Sequence, residues 1–155
     1  RSLSRLQLSL PILKEMYKKI YLARFADNLQ TLLSGGVSVA RALDISADVI
    51  GNEVYAEIIR ESRDSVRGGA SISAALSRFE DIPPLVTQMM RVGEETGKLN
   101  QILSALSRFY SREVDNTIER IVSLIEPALI VFLGLGVGII VAAILIPIYN
   151  ISAGV

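Results

Sequence analysis

The residues with the clearest potential for chemistry lie in the segment GEETGKL, residues 93–99. Like the phosphate-binding P-loop, G-x-x-x-x-G-K-[ST], it has two glycines followed by a lysine. However, three residues rather than four separate Gly93 from Gly97, and Leu99 takes the place of the Ser or Thr that binds magnesium. No strand pattern precedes the segment. The sequence therefore predicts no nucleotide site here.

Glu94 and Glu95 could in principle act as a general acid and a general base. Adjacent side chains on a helix point about 100° apart, so they do not converge on one substrate atom. We expect both carboxylates to be solvated. Two interpretations remain open: Glu94, Glu95 and Lys98 form an exposed corner that a partner recognises, or Gly97 ends a helix and its neighbours stay in water.

Several other kinds of site are excluded by composition. The chain has no Cys and no His, which removes disulfides, thiolate zinc sites and imidazole catalysis. It has no alternating acidic loop for calcium, and GLGVG at 134–138 lacks the third glycine of a dinucleotide-binding motif. The 16 basic and 16 acidic residues balance, which argues against nucleic acid. We predict a non-enzymatic protein with no cofactor and no metal.

Residues 127–149, PALIVFLGLGVGIIVAAILIPIY, contain no charge. As a helix they span roughly 34 Å, enough to cross a bilayer core about 30 Å thick. The sequence predicts a transmembrane helix, the alternative being a helix buried in a soluble bundle. Gly134, Gly138 and Ala142 recur every four residues, and we predict that this small-residue face packs against another membrane helix. The alternative is that glycines are simply common in such helices.

The charges that flank this segment predict its orientation. Arg108, Arg112 and Arg120 precede it, whereas no charged residue follows Glu126. Because basic residues stay on the cytoplasmic side, we expect the preceding part to be cytoplasmic and residues 150–155 to form a short periplasmic tail.

The rest of the chain carries apolar residues at helical spacing, interrupted by glycines, which predicts an all-α bundle over residues 22–126. GGVSVARAL (35–43) and GGASISAAL (68–76) both predict a tight corner, in which glycine ends one helix and Ser38 or its counterpart caps the next. The predicted corner glycines are Gly35, Gly36, Gly68, Gly69, Gly93 and Gly97. Residues 1–21 are basic, which suits either a membrane-proximal segment or an ordinary solvated helix face.

Three segments, in this order, carry a resemblance to a known family: LARFADNLQTLLSGGVSVARAL, PPLVTQMMRVGEETGKL and EPALIVFLGLGVGIIVAAILIPIY. Together they resemble the F-protein family of type II secretion systems and the related platform proteins of type IV pili. The resemblance implies a six-helix cytoplasmic bundle, the second such domain of a multi-pass inner-membrane protein, continuing into its last transmembrane helix.

The resemblance also implies a function. Such proteins form a platform beneath a pilus or pseudopilus, and the implied partners are a hexameric assembly ATPase, pilin or pseudopilin subunits, other inner-membrane assembly proteins and further copies of the chain. The implied role is to couple the ATPase to fibre polymerisation. From the residues alone, a tail-anchored helical adaptor for signalling partners remains the alternative. A membrane-embedded hydrolase is disfavoured because the span has no polar catalytic group apart from Tyr149 at its edge.

Overall fold

The computed structural model describes residues 3–152 and the side-chain surroundings of residues 13–149. Residues 3–152 form six α-helices: α1 (Leu3–Ser34), α2 (Val39–Val49), α3 (Glu53–Arg67), α4 (Ile72–Leu76), α5 (Pro84–Thr96) and α6 (Leu99–Ser152). No strand occurs in this range. The prediction of an all-α protein with a long apolar C-terminal helix is therefore confirmed.

The chain contains two compact units, the first reaching Asp115 and the second beginning at Asn116. The predicted limits at residues 21, 126 and 149 concern the membrane and stay predictions. Helix α6 extends to Ser152, so the predicted tail begins as helix, and its residues 153–155 lie outside the described part. The side chain of Arg5, in the predicted basic segment, lies outside it as well.

Glycines end the helices where the sequence predicts. Gly36 and Gly69 follow α1 and α3 with φ angles of 80° and 98°, and Gly97 follows α5 with a φ of 69°. Residues with a Cβ rarely adopt this left-handed conformation, so glycine is the favoured residue at each position. Both predicted corners are therefore present as tight turns between helices.

The caps of the following helices differ from one another. The Ser71 hydroxyl accepts a hydrogen bond from the Ala74 amide at 3.2 Å and caps α4. Ser38 occupies the equivalent position before α2 but its side chain makes no capping hydrogen bond, so that part of the prediction is wrong. No cap was predicted for α3. At its start, the Asn52 side chain accepts a hydrogen bond from the Tyr55 amide.

The core of the first unit draws on every helix. Small buried residues allow close packing between α2 and α3, and Ser46 and Ser62 are both fully buried. Burial raises the pKa of Tyr55 to about 12, and its ring lies 5.2 Å from that of Tyr21 on α1. The largest fully buried side chains of the core are Leu29, Leu43, Ile50, Ile59, Leu76, Met90, Leu103 and Leu106.

Candidate partner-binding corner and membrane helix

The segment singled out from the sequence forms the corner between α5 and α6. The Lys98 amide donates to the Gly93 carbonyl at 2.8 Å, and the Gly97 amide donates to the Glu94 carbonyl at 3.5 Å. With Gly97 in the left-handed conformation, these bonds satisfy carbonyls that the end of α5 would otherwise leave unpaired. Only Gly97 and Lys98 separate the two helices, and α6 begins at Leu99.

Gly93 allows α5 and α6 to approach closely at this corner. It is buried within α5, and a Cβ added there would lie 2.9 Å from Cγ1 of Ile102 and 3.1 Å from Cα of Leu99. The Leu99 atom belongs to the backbone and cannot move aside as a side chain can. Gly93 is thus required by packing, unlike Gly36, Gly69 and Gly97, which are required by backbone conformation.

The expectation that Glu94 is solvated is wrong. Its carboxylate accepts hydrogen bonds from the Ile72 amide at 2.6 Å, the Ser73 amide at 3.2 Å and the Ser73 hydroxyl at 2.5 Å. These amides lie in the first turn of α4, where helix N–H groups lack partners within the helix. A negative charge is also favoured at that end of a helix dipole. Glu94 therefore joins α5 to the start of α4.

Glu95 and Lys98 match the solvated interpretation of the corner. Both residues are exposed, and neither side chain forms an ion pair within residues 13–149. Of the three predicted contact residues, these two remain free to meet a partner, whereas Glu94 is engaged within the bundle. Across the described residues, no group of three or more acidic side chains is placed to hold a metal ion.

An ion-pair network links α2 to α3. Asp44 on α2 pairs with Arg63 on α3, and Arg63 also contacts Asp64 at 2.9 Å. The hydrogen bond from Arg63 lowers the pKa of the Asp44 carboxyl, and the same guanidinium lowers the pKa of Asp64. Because the side chains of Asp44 and Arg63 are only 24% and 18% exposed, solvent screens their interaction less than that of a surface pair.

A second ion pair joins α1 to α6 within the first unit. The Lys19 ammonium lies 3.1 Å from the Glu113 carboxylate and 3.4 Å from that of Glu15. Lys19 belongs to the predicted basic segment, whose position near lipid stays a prediction, and its ammonium group pairs with these two carboxylates. Sequence reasoning missed this pair and the Asp44–Arg63 pair because each joins two different helices, and the facing of one helix toward another is not visible in a local pattern.

The apolar part of α6 is not the core helix of a soluble bundle. Its most apolar window is 0% buried, and every residue from 122 to 149 is exposed. The helix continues through Pro127 and Pro147. The helix is long and apolar enough to cross a bilayer and is not buried within the described chain, which contradicts the buried-helix alternative. Apart from the nearby backbone of α6 itself, nothing in the described chain lies within 4 Å of a Cβ built at Gly134 or Gly138, and the small-residue interface stays a prediction.

The sequence matches a known family over most of its length. Residues 25–147 match the family described as type II secretion system (T2SS), protein F. The matched region includes the corner at Gly97, the Asp44–Arg63 pair and most of the apolar segment.

Individual relatives come from both pilus and secretion machines. Along 97% of its length the chain is 39% identical to the type IV pilus assembly protein PilC of Thermus thermophilus. It is 34% identical to PilC of Myxococcus xanthus over 96% of its length, and 33% identical to the type II secretion system protein F of Pseudomonas aeruginosa over 94%. The aligned parts cover 37%, 36% and 36% of these relatives, so the chain spans little more than a third of their length.

Proposed function

Because this chain belongs to the family of type II secretion system protein F, we propose that it is part of an inner-membrane platform protein of a type IV pilus or type II secretion machine. In this role it couples an assembly ATPase to the polymerisation of pilin or pseudopilin subunits and carries out no chemistry itself. The observation that carries the proposal is the family match across residues 25–147, which runs through both the bundle and the apolar helix.

The position in the membrane follows from α6. The family is an inner-membrane one, and the exposed apolar segment supplies a helix long enough to cross the bilayer. The bundle lies in the cytoplasm and the end of α6 in the periplasm, because Arg108, Arg112 and Arg120 all precede the apolar segment. This orientation places the corner between α5 and α6 on the side where ATP is available.

The proposed partners are the other components of such a pilus or secretion machine. They are a hexameric cytoplasmic ATPase, pilin or pseudopilin subunits, other inner-membrane assembly proteins and further copies of the platform. Glu95 and Lys98 provide a charged contact for a protein partner, since both are exposed and unpaired within residues 13–149. Exposed charges at the rim of an interface contribute mainly to specificity and association rate. Family membership favours this function over a tail-anchored adaptor.

Co-purification from the native host tests both parts of the proposal. The full-length parent is isolated from membranes in mild detergent, and bound proteins are quantified by mass spectrometry. We expect an assembly ATPase and pilin-like subunits with the wild-type protein. Recovery of neither, from protein that is folded and in the membrane, would refute the platform function.

Two charge reversals test whether the corner between α5 and α6 contacts the ATPase, independently of the platform function. Glu95→Lys should reduce ATPase recovery several-fold without a change in thermal stability, because Glu95 makes no contact that the fold needs. Glu57→Lys on α3 is the matched control, since Glu57 is also exposed and forms no ion pair within residues 13–149. Equal recovery with both variants would show that the corner is not the contact surface.

A further inference from the structure

The first part of α6 is basic, although basic and acidic residues balance in the chain as a whole. Residues 98–112, KLNQILSALSRFYSR, contain three basic residues and no acidic one. Arg108 and Arg112 are four residues apart, so they lie on the same side of the helix. Both are exposed, and neither forms an ion pair within residues 13–149. Two neighbouring guanidinium groups are thus left to meet a partner.

The side of α6 that carries these arginines points away from the core. Leu106 and Tyr110 are buried in the bundle. Two residues further along, a helix has turned by about 200°, so Arg108 lies opposite Leu106 and Arg112 lies opposite Tyr110. Helix α6 therefore has one side packed in the first unit and a basic side outside it.

The surface beside the arginines suits contact with another protein helix. Ser104 and Ala105 lie one turn before Arg108 and are partly exposed. Small side chains at a helix contact allow the two helix axes to come close together. Phe109 is exposed at the edge of this surface, and its ring packs edge-on against that of the buried Tyr110, with 5.1 Å between the ring centroids. Arginine and aromatic residues are enriched in protein interfaces.

Anionic lipid suits this surface less well than protein. The helix from Arg112 to Pro127 rises about 22 Å, whereas charges in physiological salt are screened over about 8 Å. Residues 113–126, which connect the arginines to the apolar segment, contain four acidic residues and only one basic residue. An anionic membrane surface attracts basic segments that lie next to it, and here the adjacent segment is acidic.

The spacing of the arginines indicates the chemistry of the partner. A guanidinium group binds a carboxylate through two parallel hydrogen bonds. A helix with Asp or Glu residues three or four positions apart presents two carboxylates on one side, at the spacing of Arg108 and Arg112. Ser104 and Ala105 leave room for the backbone of such a helix.

We propose that an acidic helix of a cytoplasmic protein docks on the basic face of α6, which consists of Ser104, Ala105, Arg108, Phe109 and Arg112. The proposal rests on the cytoplasmic position of the bundle put forward above. It goes beyond the contact at the corner between α5 and α6 by assigning a second surface and the charge of the partner that binds it.

Zero-length cross-linking tests for a carboxylate at this face. A carbodiimide joins a lysine amine to an Asp or Glu side chain in direct contact, so Arg108→Lys and Arg112→Lys turn the arginines into reporters. The full-length parent carrying each substitution is expressed in its own host, its membranes are treated with carbodiimide, and cross-linked peptides are identified by mass spectrometry. Gln88→Lys is the matched control, since Gln88 is exposed on α5, outside the basic face.

We expect position 108 or 112 to be joined to an Asp or Glu of a different protein several-fold more often than position 88. The double variant Arg108→Glu/Arg112→Glu should reduce recovery of that protein several-fold in co-purification without lowering thermal stability, because both side chains are exposed. A protein whose recovery is unchanged in the double variant is not held by these arginines, and the proposal would then be wrong.

Two cross-linking results would also overturn the proposal. A link to another part of the parent's own chain would mean that the face is covered within the protein. No link above that at position 88 is the result expected if the arginines meet lipid headgroups or water. If assembly ATPase and pilin-like subunits still co-purify with the parent, either result removes the docking surface alone, whereas loss of both partners from the unsubstituted parent counts against the proposed function.

Discussion

Two neighbouring glutamates at the end of α5 have different surroundings. Glu94 accepts three hydrogen bonds from the first turn of α4, whereas Glu95 is exposed and unpaired within residues 13–149. The two positions differ only by the 100° step of the helix, which directs one carboxylate into the bundle and the other into water. They therefore offer a natural comparison between a structural and a solvated carboxylate.

We expect Glu94→Ala to destabilise the bundle by about 1–3 kcal/mol, because it leaves the Ile72 and Ser73 amides without their acceptor at a helix start. Glu94→Gln retains one oxygen acceptor and should lose less. The measurements are thermal unfolding of the detergent-solubilised chain and hydrogen exchange of the Ile72 and Ser73 amides, which should exchange faster in the alanine variant.

Glu95→Ala is the control for this prediction, and its effect should stay within about 0.5 kcal/mol, as for other surface substitutions. If Glu94→Ala and Glu95→Ala have the same stability and the same exchange rates at residues 72 and 73, the carboxylate of Glu94 does not cap α4 in solution.

The sequence could not distinguish these two glutamates, because the difference depends on where α4 packs against α5. Gly97 was predictable as a helix end, since a left-handed residue is a local requirement that glycine meets. Gly93 was predicted as a corner glycine. It is required because Leu99 and Ile102 approach it closely, which no local pattern reveals. Local conformation was thus visible in the sequence, and tertiary contact was not.

At the scale of helices, α2 and α3 are held together by small buried residues and by the Asp44–Arg63 pair at their edge. Asp44 has a lowered pKa in the folded state, chiefly because it accepts a hydrogen bond from Arg63. The folded protein therefore binds a proton at Asp44 less readily than the unfolded chain does. The pair contributes stability above the ordinary carboxyl pKa of 3.8, and that contribution is lost as the pH falls through the lowered value.

We expect Asp44→Asn to flatten the acid limb of the stability curve. The wild-type midpoint of unfolding should fall steeply as the pH drops below about 4, the range in which aspartates take up protons. The midpoint of the variant should start lower at neutral pH and fall less. Urea unfolding of the chain in detergent, measured at a series of pH values, gives both slopes.

A second substitution tests whether Arg63 is the cause. Arg63→Gln removes the donor that holds Asp44 ionised, and it should flatten the acid limb at least as much, since Asp64 also depends on Arg63. The double variant should resemble Arg63→Gln. Two single effects that add fully in the double variant would argue against a direct pair.

The helices themselves followed closely from the sequence. Apolar spacing and glycine pairs predicted the ends of α1 and α3. The links between helices were not predicted: Asp44 with Arg63, Lys19 with Glu113, and Glu94 with α4 all join residues far apart in the chain. Charged residues on a helix surface look alike in sequence whether they face a neighbour or solvent.

At the scale of the whole molecule, the decisive property is the direction in which α6 crosses the membrane. The bundle carries the candidate contact residues Glu95 and Lys98, and an ATPase can reach them only if the bundle is cytoplasmic. The charge distribution favours this direction, because Arg108, Arg112 and Arg120 precede the apolar segment and residues 127–155 carry no charge.

Single cysteines introduced in turn by Glu95→Cys and Asn150→Cys report the direction, since the chain has no cysteine of its own. In intact spheroplasts, a membrane-impermeant maleimide should label the thiol at position 150 and leave the thiol at position 95 unlabelled. Both should be labelled after lysis in detergent, which controls for thiols hidden by protein. The opposite pattern would place the bundle in the periplasm, away from any cytoplasmic ATPase, and the proposed coupling function would then be physically impossible. Labelling of both positions in intact spheroplasts would mean that α6 does not cross the membrane at all.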